Sequence, residues 1–452
     1  MLTASRYNFF VDRLDGVVAY NARTGVFAHM SRETADVLRS HNFAASEEDV
    51  DALVSMGFLH YGDELSLVLK KMAPQSLPKL GIVLAPTIGC NRTCSYCYQN
   101  EYRSASSMSG EVQRATTRFI RKEIASRNAK TVSLTWFGGE PLLEKEIVYR
   151  LTREIAAISC ELGVTMEAPE LITNGDYLDL SCQGTLAELG FSHIQISVDS
   201  LIDDGFSKRG VFTQDGRYSK LIEHAMAAQA RFDVNIRINV TKKTAACLPE
   251  ILSALKECGL GDVASINRAE DVDGEAGAIT LQTGTRVTAT NNFIPISQLI
   301  DPNTVSRKQF ATLKLGVEEK KSESFLRFIQ NELTPTVGSY CGATEGRMFV
   351  IDPRGNVSRC WNSAGVDSES IGNVLESDES FAAEKMWSSY GPGSYESCAT
   401  CKVLPLCKGG CSHPRLFAAS KYPPCTDIKY NVDSYVEFIG SRLAWNNEGP
   451  ES

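Results

Sequence analysis

The 452-residue sequence has no run of eighteen apolar residues, no basic N-terminal segment leading into an apolar core, and no excess of positive charge. The first two absences argue against a membrane-spanning helix and a secretion signal, so we expect a cytoplasmic protein with no membrane partner. The net charge of −9 argues against a nucleic-acid partner, because such proteins normally present a basic surface. The composition is that of a globular protein, and the length predicts two or three domains.

Cysteine, by contrast, is plentiful and unevenly distributed. Of the fourteen cysteines, three lie within residues 90–97 and seven lie between Cys341 and Cys425. A reducing compartment disfavours disulfides, so these ten are predicted to be metal ligands. The remaining four are predicted to be small buried hydrophobic residues, namely Cys160, Cys182, Cys247 and Cys258.

The order of predicted elements divides the chain into four parts. Residues 1–75 contain strand-like runs and the helices RETADVLRS and SEEDVDALVSM, and FLHY with ELSLVLKK is predicted to supply a wing. We therefore predict a winged-helix-like module, which is acidic and so unlike a nucleic-acid binder; a mere packing appendage is the alternative. Residues 80–300 alternate strand and helix, 301–340 are predicted to be a connecting helix, and 341–452 are loop-rich and end in a helix.

Residues 80–300 contain six predicted strand–helix units. Repeated units of this kind predict a parallel sheet with right-handed crossovers, and six are too few for a closed eight-fold barrel. The fold class is therefore α/β, with a partial (β/α)6 TIM-like barrel whose chemistry lies at the carboxyl ends of the strands. The predicted strands are GIVLAPT, TVSLTWF, MEAPELITN, HIQISVDS, VNIRINV and DVASINR.

Cys90, Cys94 and Cys97 follow the first of these strands with the spacing C-x3-C-x2-C. Thiolates favour zinc or iron–sulfur clusters over harder ions. A structural zinc site needs four ligands, and this loop offers three with no histidine nearby. Three thiolates on a four-iron cubane would leave one iron open for another ligand, so the spacing favours a cluster over zinc.

The same loop, with Tyr96 before its last cysteine, resembles the signature of radical S-adenosylmethionine enzymes. The supporting motifs WFGGEP, LITNG and ISVDS follow in the family's order, and the resemblance covers residues 80–265. It implies that a reduced [4Fe–4S] cluster cleaves S-adenosylmethionine and that the resulting 5′-deoxyadenosyl radical abstracts hydrogen from a C–H bond. The cofactor-binding residues that it implies are Tyr96, Gly138, Gly139, Glu140, Asn174, Ser197, Asp199 and Arg209.

The seven C-terminal cysteines resemble the iron–sulfur pattern of SPASM domains, which carry auxiliary [4Fe–4S] clusters in peptide-modifying radical enzymes. The resemblance implies three clusters in all, one catalytic and two auxiliary. An inner auxiliary cluster would have only three cysteines, so its fourth position would bind a substrate thiolate, water or a protein oxygen. The implied ligands are Cys341, Cys360 and Cys411 for the inner cluster, and Cys398, Cys401, Cys407 and Cys425 for the outer one.

These resemblances imply a maturase of a ribosomally made precursor peptide that forms a thioether or carbon–carbon cross-link. The N-terminal module would bind the leader of the precursor as an added strand, and a small flavodoxin- or ferredoxin-type protein would donate electrons. An anaerobic formylglycine-forming sulfatase maturase is the alternative. It is weakened because Trp361 stands where those relatives place a catalytic Asp, and because their eighth cysteine is missing. A cluster-bearing electron-transfer protein is a third possibility, but it would not need the GGEP motif.

Overall fold

The structure is a computed structural model. Among the residues that it describes, no helix is both long enough and apolar enough to cross a membrane. The described residues are 2–40, 47–73, 78–103, 106–269, 278–280, 286–288, 305–320, 322–335, 337–338, 341–376, 384–388, 390–417 and 425–442.

The N-terminal part combines two small antiparallel sheets with three helices. The strands β2, β3 and β4 form one sheet in that order, and β1 pairs with β5. The predicted helix RETADVLRS is confirmed as α1. The elements are β1 (Leu2–Ala4), β2 (Asn8–Arg13), β3 (Gly16–Asn21), β4 (Val26–Met30), α1 (Arg32–Ser40), α2 (Glu47–Met56), β5 (Leu59–Tyr61) and α3 (Glu64–Met72).

The predicted wing is wrong in one half, because ELSLVLKK forms the helix α3. Asp63 caps this helix by accepting hydrogen bonds from the two backbone N–H groups of Leu65 and Ser66, at 3.1 and 3.3 Å. The buried residues Glu64, Val68 and Met72 recur every four positions, which is the spacing of one helix face. FLHY does contribute a strand, but β5 pairs with β1 rather than with a second wing strand.

The central part confirms the six predicted strands. They pair in parallel in the order β14, β13, β10, β9, β7 and β6, and helices connect them, as in a partial TIM-like barrel. The elements are β6 (Lys79–Leu84), α4 (Gly110–Ser126), β7 (Thr131–Trp136), α5 (Lys145–Glu161), β8 (Thr165–Met166), β9 (Glu170–Thr173), α6 (Leu180–Glu188), β10 (His193–Val198), β11 (Ser200–Ile202), β12 (Gly210–Phe212), α7 (Lys220–Ala228), β13 (Asp233–Val240), α8 (Lys242–Ala246), α9 (Leu248–Glu257), β14 (Ala264–Arg268), β15 (Ala278–Thr280) and β16 (Arg286–Thr288).

The C-terminal part continues this sheet rather than standing apart from it. Strand β17 pairs in parallel with β6, and β18 and β19 extend the sheet in antiparallel fashion. The segment predicted as one connecting helix forms two, α10 and α11. The elements are α10 (Arg307–Glu319), α11 (Ser322–Glu332), β17 (Met348–Ile351), β18 (Asn356–Ser358), β19 (Gly372–Asn373), α12 (Glu384–Ser388), α13 (Glu396–Ala399), α14 (Leu404–Cys407), α15 (Ser412–Phe417) and α16 (Ile428–Gly440).

One hydrophobic core joins the N-terminal part to the C-terminal part. Tyr7, Phe9 and Tyr20 pack in the same cluster as Ile329 of α11 and Val436 of α16. Burying this apolar surface stabilises the folded chain only while both parts are present. The N-terminal part therefore depends on the rest of the chain, and removing it would expose apolar side chains of α16.

Ile329→Ala is expected to lower the free energy of unfolding by about 2–5 kcal/mol, because Ile329 is fully buried in this shared core. Leu326→Ala on the same helix is the matched control, since Leu326 is 41% exposed. Denaturant unfolding measures the free energy of unfolding of both variants. Hydrogen exchange, measured separately, should be faster in both β3 and α16 for Ile329→Ala. An equal decrease in the free energy of unfolding for the two variants would contradict the shared core.

Candidate active site

The carboxyl ends of the six parallel strands surround a cavity of about 540 Å³. The loop that follows β6 brings all three of its cysteines, Cys90, Cys94 and Cys97, to the wall of this cavity. In the described part of the chain, no three His, Cys, Asp or Glu side chains converge closely enough to hold a single metal ion. The donor set at this wall is three thiols, which suits a soft metal centre such as an iron–sulfur cluster.

Two glycines allow the loop after β7 to lie directly against the cysteine loop. Gly139 donates its backbone N–H to the carbonyl of Thr87 at 3.1 Å, and the next residue donates to the carbonyl of Gly89 at 2.9 Å. A Cβ atom on Gly139 would lie 2.1 Å from the Gly89 carbonyl oxygen, and one on Gly138 would lie 2.4 Å from that of Thr87. Gly138 also has a φ of +128°. The GG of the motif is therefore required by this close backbone contact.

Glu140, the third residue of GGEP, is not among the residues that line the cavity. Its carboxylate is fully buried and accepts hydrogen bonds from the Thr173 hydroxyl at 2.8 Å and from the backbone N–H groups of Asn174 and Leu142 at 2.7 and 3.0 Å. Burial raises the pKa of Glu140 to about 7, although these hydrogen bonds oppose the increase. The side chain thus joins the ends of β7 and β9 behind the cavity wall, where it positions Asn174.

The cysteine loop is also held by Arg92, a residue that the sequence analysis did not identify. The buried guanidinium contacts the carboxylate of Asp176, at 2.5 Å, and that of Asp203, at 2.9 Å. These carboxylates belong to the loops that follow β9 and β11. Arg92 therefore joins the cysteine loop to the loops after β9 and β11. In the sequence, only its position between the first two cysteines could have indicated this role.

Neutral polar groups surround the first cysteine. The backbone N–H of Arg92 lies 3.4 Å from the Cys90 sulfur, and the side-chain amide of Asn174 lies 3.8 Å from it. The same amide donates to Asn91 at 2.7 Å, which fixes its orientation. Asn174 therefore faces the cysteine loop from the end of β9, as the LITNG motif predicts for a residue at the cavity.

Tyr96 and Arg209 meet at the cavity wall through a buried carboxylate. Asp199 accepts hydrogen bonds from the Tyr96 hydroxyl at 2.8 Å and from the Arg209 Nε at 3.0 Å. Asn239 donates to the same hydroxyl at 3.2 Å. Burial raises the pKa of Asp199 to about 7, and the hydrogen bond from the Arg209 backbone opposes this shift. Asp199 does not line the cavity, so it orients the two side chains that do.

The structure thus divides the predicted cofactor-binding residues into two groups. Glu140 and Asp199 lie behind the wall and support their neighbours. The residues that line the cavity are Tyr96, Gly138, Gly139, Asn174, Ser197 and Arg209.

Two buried thiols of the C-terminal part, Cys360 and Cys407, have other cysteines close to them. The Cys360 thiol is buried, which raises its pKa, and the nearby Cys411 and Cys341 raise it further. Burial likewise raises the pKa of Cys407 to about 12, and Cys401, Cys398 and Cys425 add to the increase. Such thiols become thiolates when they bind a metal. Cys411 and Cys425 also line the cavity of the first three cysteines.

The cavity wall is rich in cations although the whole chain is acidic. Carboxylates behind the wall balance two of these cations, Arg92 and Arg209. An environment of this kind attracts ligands that carry carboxylates. Seven cationic side chains and one carboxylate line the cavity: Arg92, Arg103, Arg209, Arg237, Arg268, Arg307 and Lys314, with Asp427.

Residues 84–240, which include the cysteine loop and strands β7 to β13, match the Radical SAM superfamily. This part of the chain is a radical S-adenosylmethionine domain, and the protein is an enzyme. Enzymes of this superfamily use S-adenosylmethionine and a [4Fe–4S] cluster. The match covers the part of the chain that provides the three cysteines and most of the cavity wall.

Two characterised relatives and one solved structure extend this comparison. This chain is 26% identical over 225 residues to pre-heme d1 synthase of Dinoroseobacter shibae. The aligned segment covers 47% of this chain and about half (52%) of that relative. It is 24% identical to the cysteine-type anaerobic sulfatase-maturating enzyme of Clostridium perfringens, over 80% of this chain and 96% of the relative. The structure of native anSMEcpe with bound AdoMet and Kp18Cys peptide superposes with a TM-score of 0.57 at 20% identity, over 80% of this chain and all of that one. This last match shows a shared fold.

The buried Glu140 predicts a pH-dependent stability difference between the native protein and Glu140→Gln. Because the pKa is raised to about 7, the folded state binds this proton more tightly than the unfolded state. The stability of the native protein relative to Glu140→Gln should therefore fall as pH rises from about 4.5 to about 7, because the unfolded state has released this proton there while the folded state still binds it, and the difference should level off above that range. Denaturant unfolding of both proteins at several pH values measures this difference, and a constant difference across that range would contradict it.

Proposed function

We propose that Cys90, Cys94 and Cys97 hold the catalytic [4Fe–4S] cluster and that S-adenosylmethionine binds beside it in the cavity. The observation that carries this proposal is the convergence of the three thiols with Tyr96, Asn174, Ser197 and Arg209 on one wall. When bound, the cluster and S-adenosylmethionine supply a 5′-deoxyadenosyl radical that abstracts hydrogen from the substrate, with electrons from a small flavodoxin- or ferredoxin-type protein.

The residues of the wall have distinct roles in this proposal. Arg209 provides a cation for the carboxylate of the methionine moiety, and Asp199 holds the guanidinium in place. The backbone of Gly138 and Gly139 offers polar groups to the methionine amino group, since both residues line the cavity. Asn174 and Ser197 lie at the ends of β9 and β10, where they can contact the ribose.

The substrate in this proposal is a peptide. The relative from C. perfringens is named as an enzyme that matures sulfatases, and the similar solved structure contains a peptide with AdoMet. In this chain the cavity continues from the cysteine loop to Trp361, Cys411 and Cys425 in the C-terminal part. A peptide side chain could therefore reach the radical while its backbone lies along the C-terminal part.

The N-terminal part is proposed to recognise the leader of a precursor peptide. Within the described residues, β4 pairs with β3 on one side, and no strand pairs with its other edge. An unpaired edge offers main-chain hydrogen bonds to an added strand. The opposite edge strand, β2, packs against α16 and is less accessible.

The C-terminal part is proposed to be a SPASM domain with two auxiliary clusters, which makes three clusters in the enzyme. The inner group has three cysteines, and protein oxygens lie close to it. The Ser412 hydroxyl lies 3.6 Å from the Cys341 sulfur, and the Glu369 carboxylate is near enough to raise the pKa of Cys360. These oxygens favour a closed fourth position over capture of a substrate thiolate. A closed position favours a carbon–carbon cross-link over a thioether.

A sulfatase maturase is the second candidate, because the alignment covers 96% of the enzyme from C. perfringens. The residue after Cys360 argues against it. Trp361 stands at that position, lines the cavity and accepts a hydrogen bond at its carbonyl from the Tyr98 hydroxyl at 2.5 Å. An indole cannot take the proton that the catalytic Asp would accept.

Replacement of Cys90, Cys94 and Cys97 by Ala is expected to abolish formation of 5′-deoxyadenosine while iron remains bound in the C-terminal part. Cys160, Cys247 and Cys258 replaced together are the matched control, because they remove the same number of thiols from α5 and the region of α9. Chromatography after anaerobic reduction measures the nucleoside. Its continued formation by the first variant would refute the assignment.

Binding of a precursor peptide is expected to slow amide hydrogen exchange in β4 and to leave β2 unchanged, because α16 packs against β2. The same peptide without its leader is the control and should protect neither strand. Mass spectrometry of the exchanged protein reports both regions in one experiment. Protection that is absent from β4 would contradict leader binding by strand addition.

A further inference from the structure

Two cationic side chains donate hydrogen bonds to sulfur atoms of the outer cysteine group. The Arg415 guanidinium of α15 lies 3.0 Å from the Cys398 sulfur. The Lys429 ammonium of α16 lies 3.4 Å from the Cys425 sulfur. By contrast, the contacts described above for Cys90 come from neutral amide groups. One cationic donor also reaches that loop, because the Arg103 side chain donates a hydrogen bond to Cys97.

Arg415 is held where it contacts the sulfur. Its guanidinium lies 4.0 Å from the centre of the Tyr395 ring, in a cation–π contact, and Cys398 is buried beneath it. Burial raises the pKa of the Cys398 thiol, and Arg415 opposes that increase. The guanidinium thus favours negative charge on this sulfur. Lys429 is exposed, so water screens its charge more strongly.

Positive charge and hydrogen bonds at the ligand sulfurs of an iron–sulfur cluster stabilise its reduced form, which carries one more negative charge. We propose that Arg415 and Lys429 raise the reduction potential of the outer auxiliary cluster, and that Arg415 contributes the larger share. This inference rests on the proposed function, because it requires that the four outer cysteines hold a cluster. Both residues are then tuning residues that make electron uptake at the outer site easier.

A purely structural role for Arg415 would be to hold α15 against Tyr395. The two roles differ in what they predict for Arg415→Lys, which keeps a cation near the sulfur, and for Arg415→Gln, which removes it. A structural role predicts changes in stability but no change in the reduction potential of an assembled cluster. The reduction potential is therefore the decisive measurement.

The experiment uses the full chain with Cys90, Cys94 and Cys97 replaced by Ala, so that only C-terminal clusters contribute. Iron and acid-labile sulfide are counted after anaerobic reconstitution, and reduction is followed by electron paramagnetic resonance at set potentials. The electron paramagnetic resonance signal that disappears in the double variant Cys401→Ala/Cys407→Ala belongs to the outer cluster. Lys402→Gln is the matched control, because it removes a charge beside Cys401 from an exposed side chain whose ammonium lies 4.0 Å from the Phe9 ring.

Arg415→Gln is expected to decrease the ratio of reduced to oxidised outer cluster about tenfold at a fixed potential, a shift of about 59 mV to lower values. Lys429→Gln should shift the reduction potential in the same direction by a smaller amount. The potentials of Arg415→Lys and Lys402→Gln should stay close to that of the parent protein. Unchanged potentials in Arg415→Gln and Lys429→Gln with both clusters assembled would overturn the inference. If Arg415→Gln does not fold, an unchanged potential in Lys429→Gln alone has the same meaning. A parent that binds no C-terminal iron would instead overturn the proposed auxiliary clusters, and the inference with them.

Discussion

The arrangement of the candidate site depends on the buried guanidinium of Arg92. Arg92 belongs to the cysteine loop, and it contacts Asp176 and Asp203, which come from two other loops. Removing one partner of a buried ion pair costs about 3–5 kcal/mol, because the other charge stays in a poorly solvated place. The position of the three cysteines relative to the strand ends is therefore maintained by a charge network as well as by the strand that precedes them.

The parts of the chain that sequence reasoning separates are physically continuous around this site. Strand β17 extends the central sheet next to β6, the strand that leads into the cysteine loop. The core shared by Phe9, Ile329 and Val436 then joins the N-terminal part to the C-terminal helices. As a result, one cavity has walls from both the strand ends and the C-terminal cysteine region, which suits a substrate that must reach both.

Electrostatic surroundings distinguish the groups of cysteines more clearly than their spacing does. The cysteine loop after β6 has amide donors at Cys90 and the Arg103 side chain at Cys97. The inner group has a carboxylate near Cys360, and the outer group has a guanidinium at Cys398. Thiolates of the same chemical type would therefore hold clusters with different affinities for an electron.

The six central strands and helix α1 could be predicted from the sequence, because each depends on local patterns of apolar residues and capping residues. The tertiary structure decided what depends on contacts between distant residues. It placed Glu140 and Asp199 behind the cavity wall, and it paired Arg92 with carboxylates more than eighty residues away. Helix α3 was missed although its signals are local, namely the Asp63 cap and the four-residue spacing of Val68 and Met72. Local patterns cannot show which buried charges will meet, since that depends on how the loops come together at the end of the sheet.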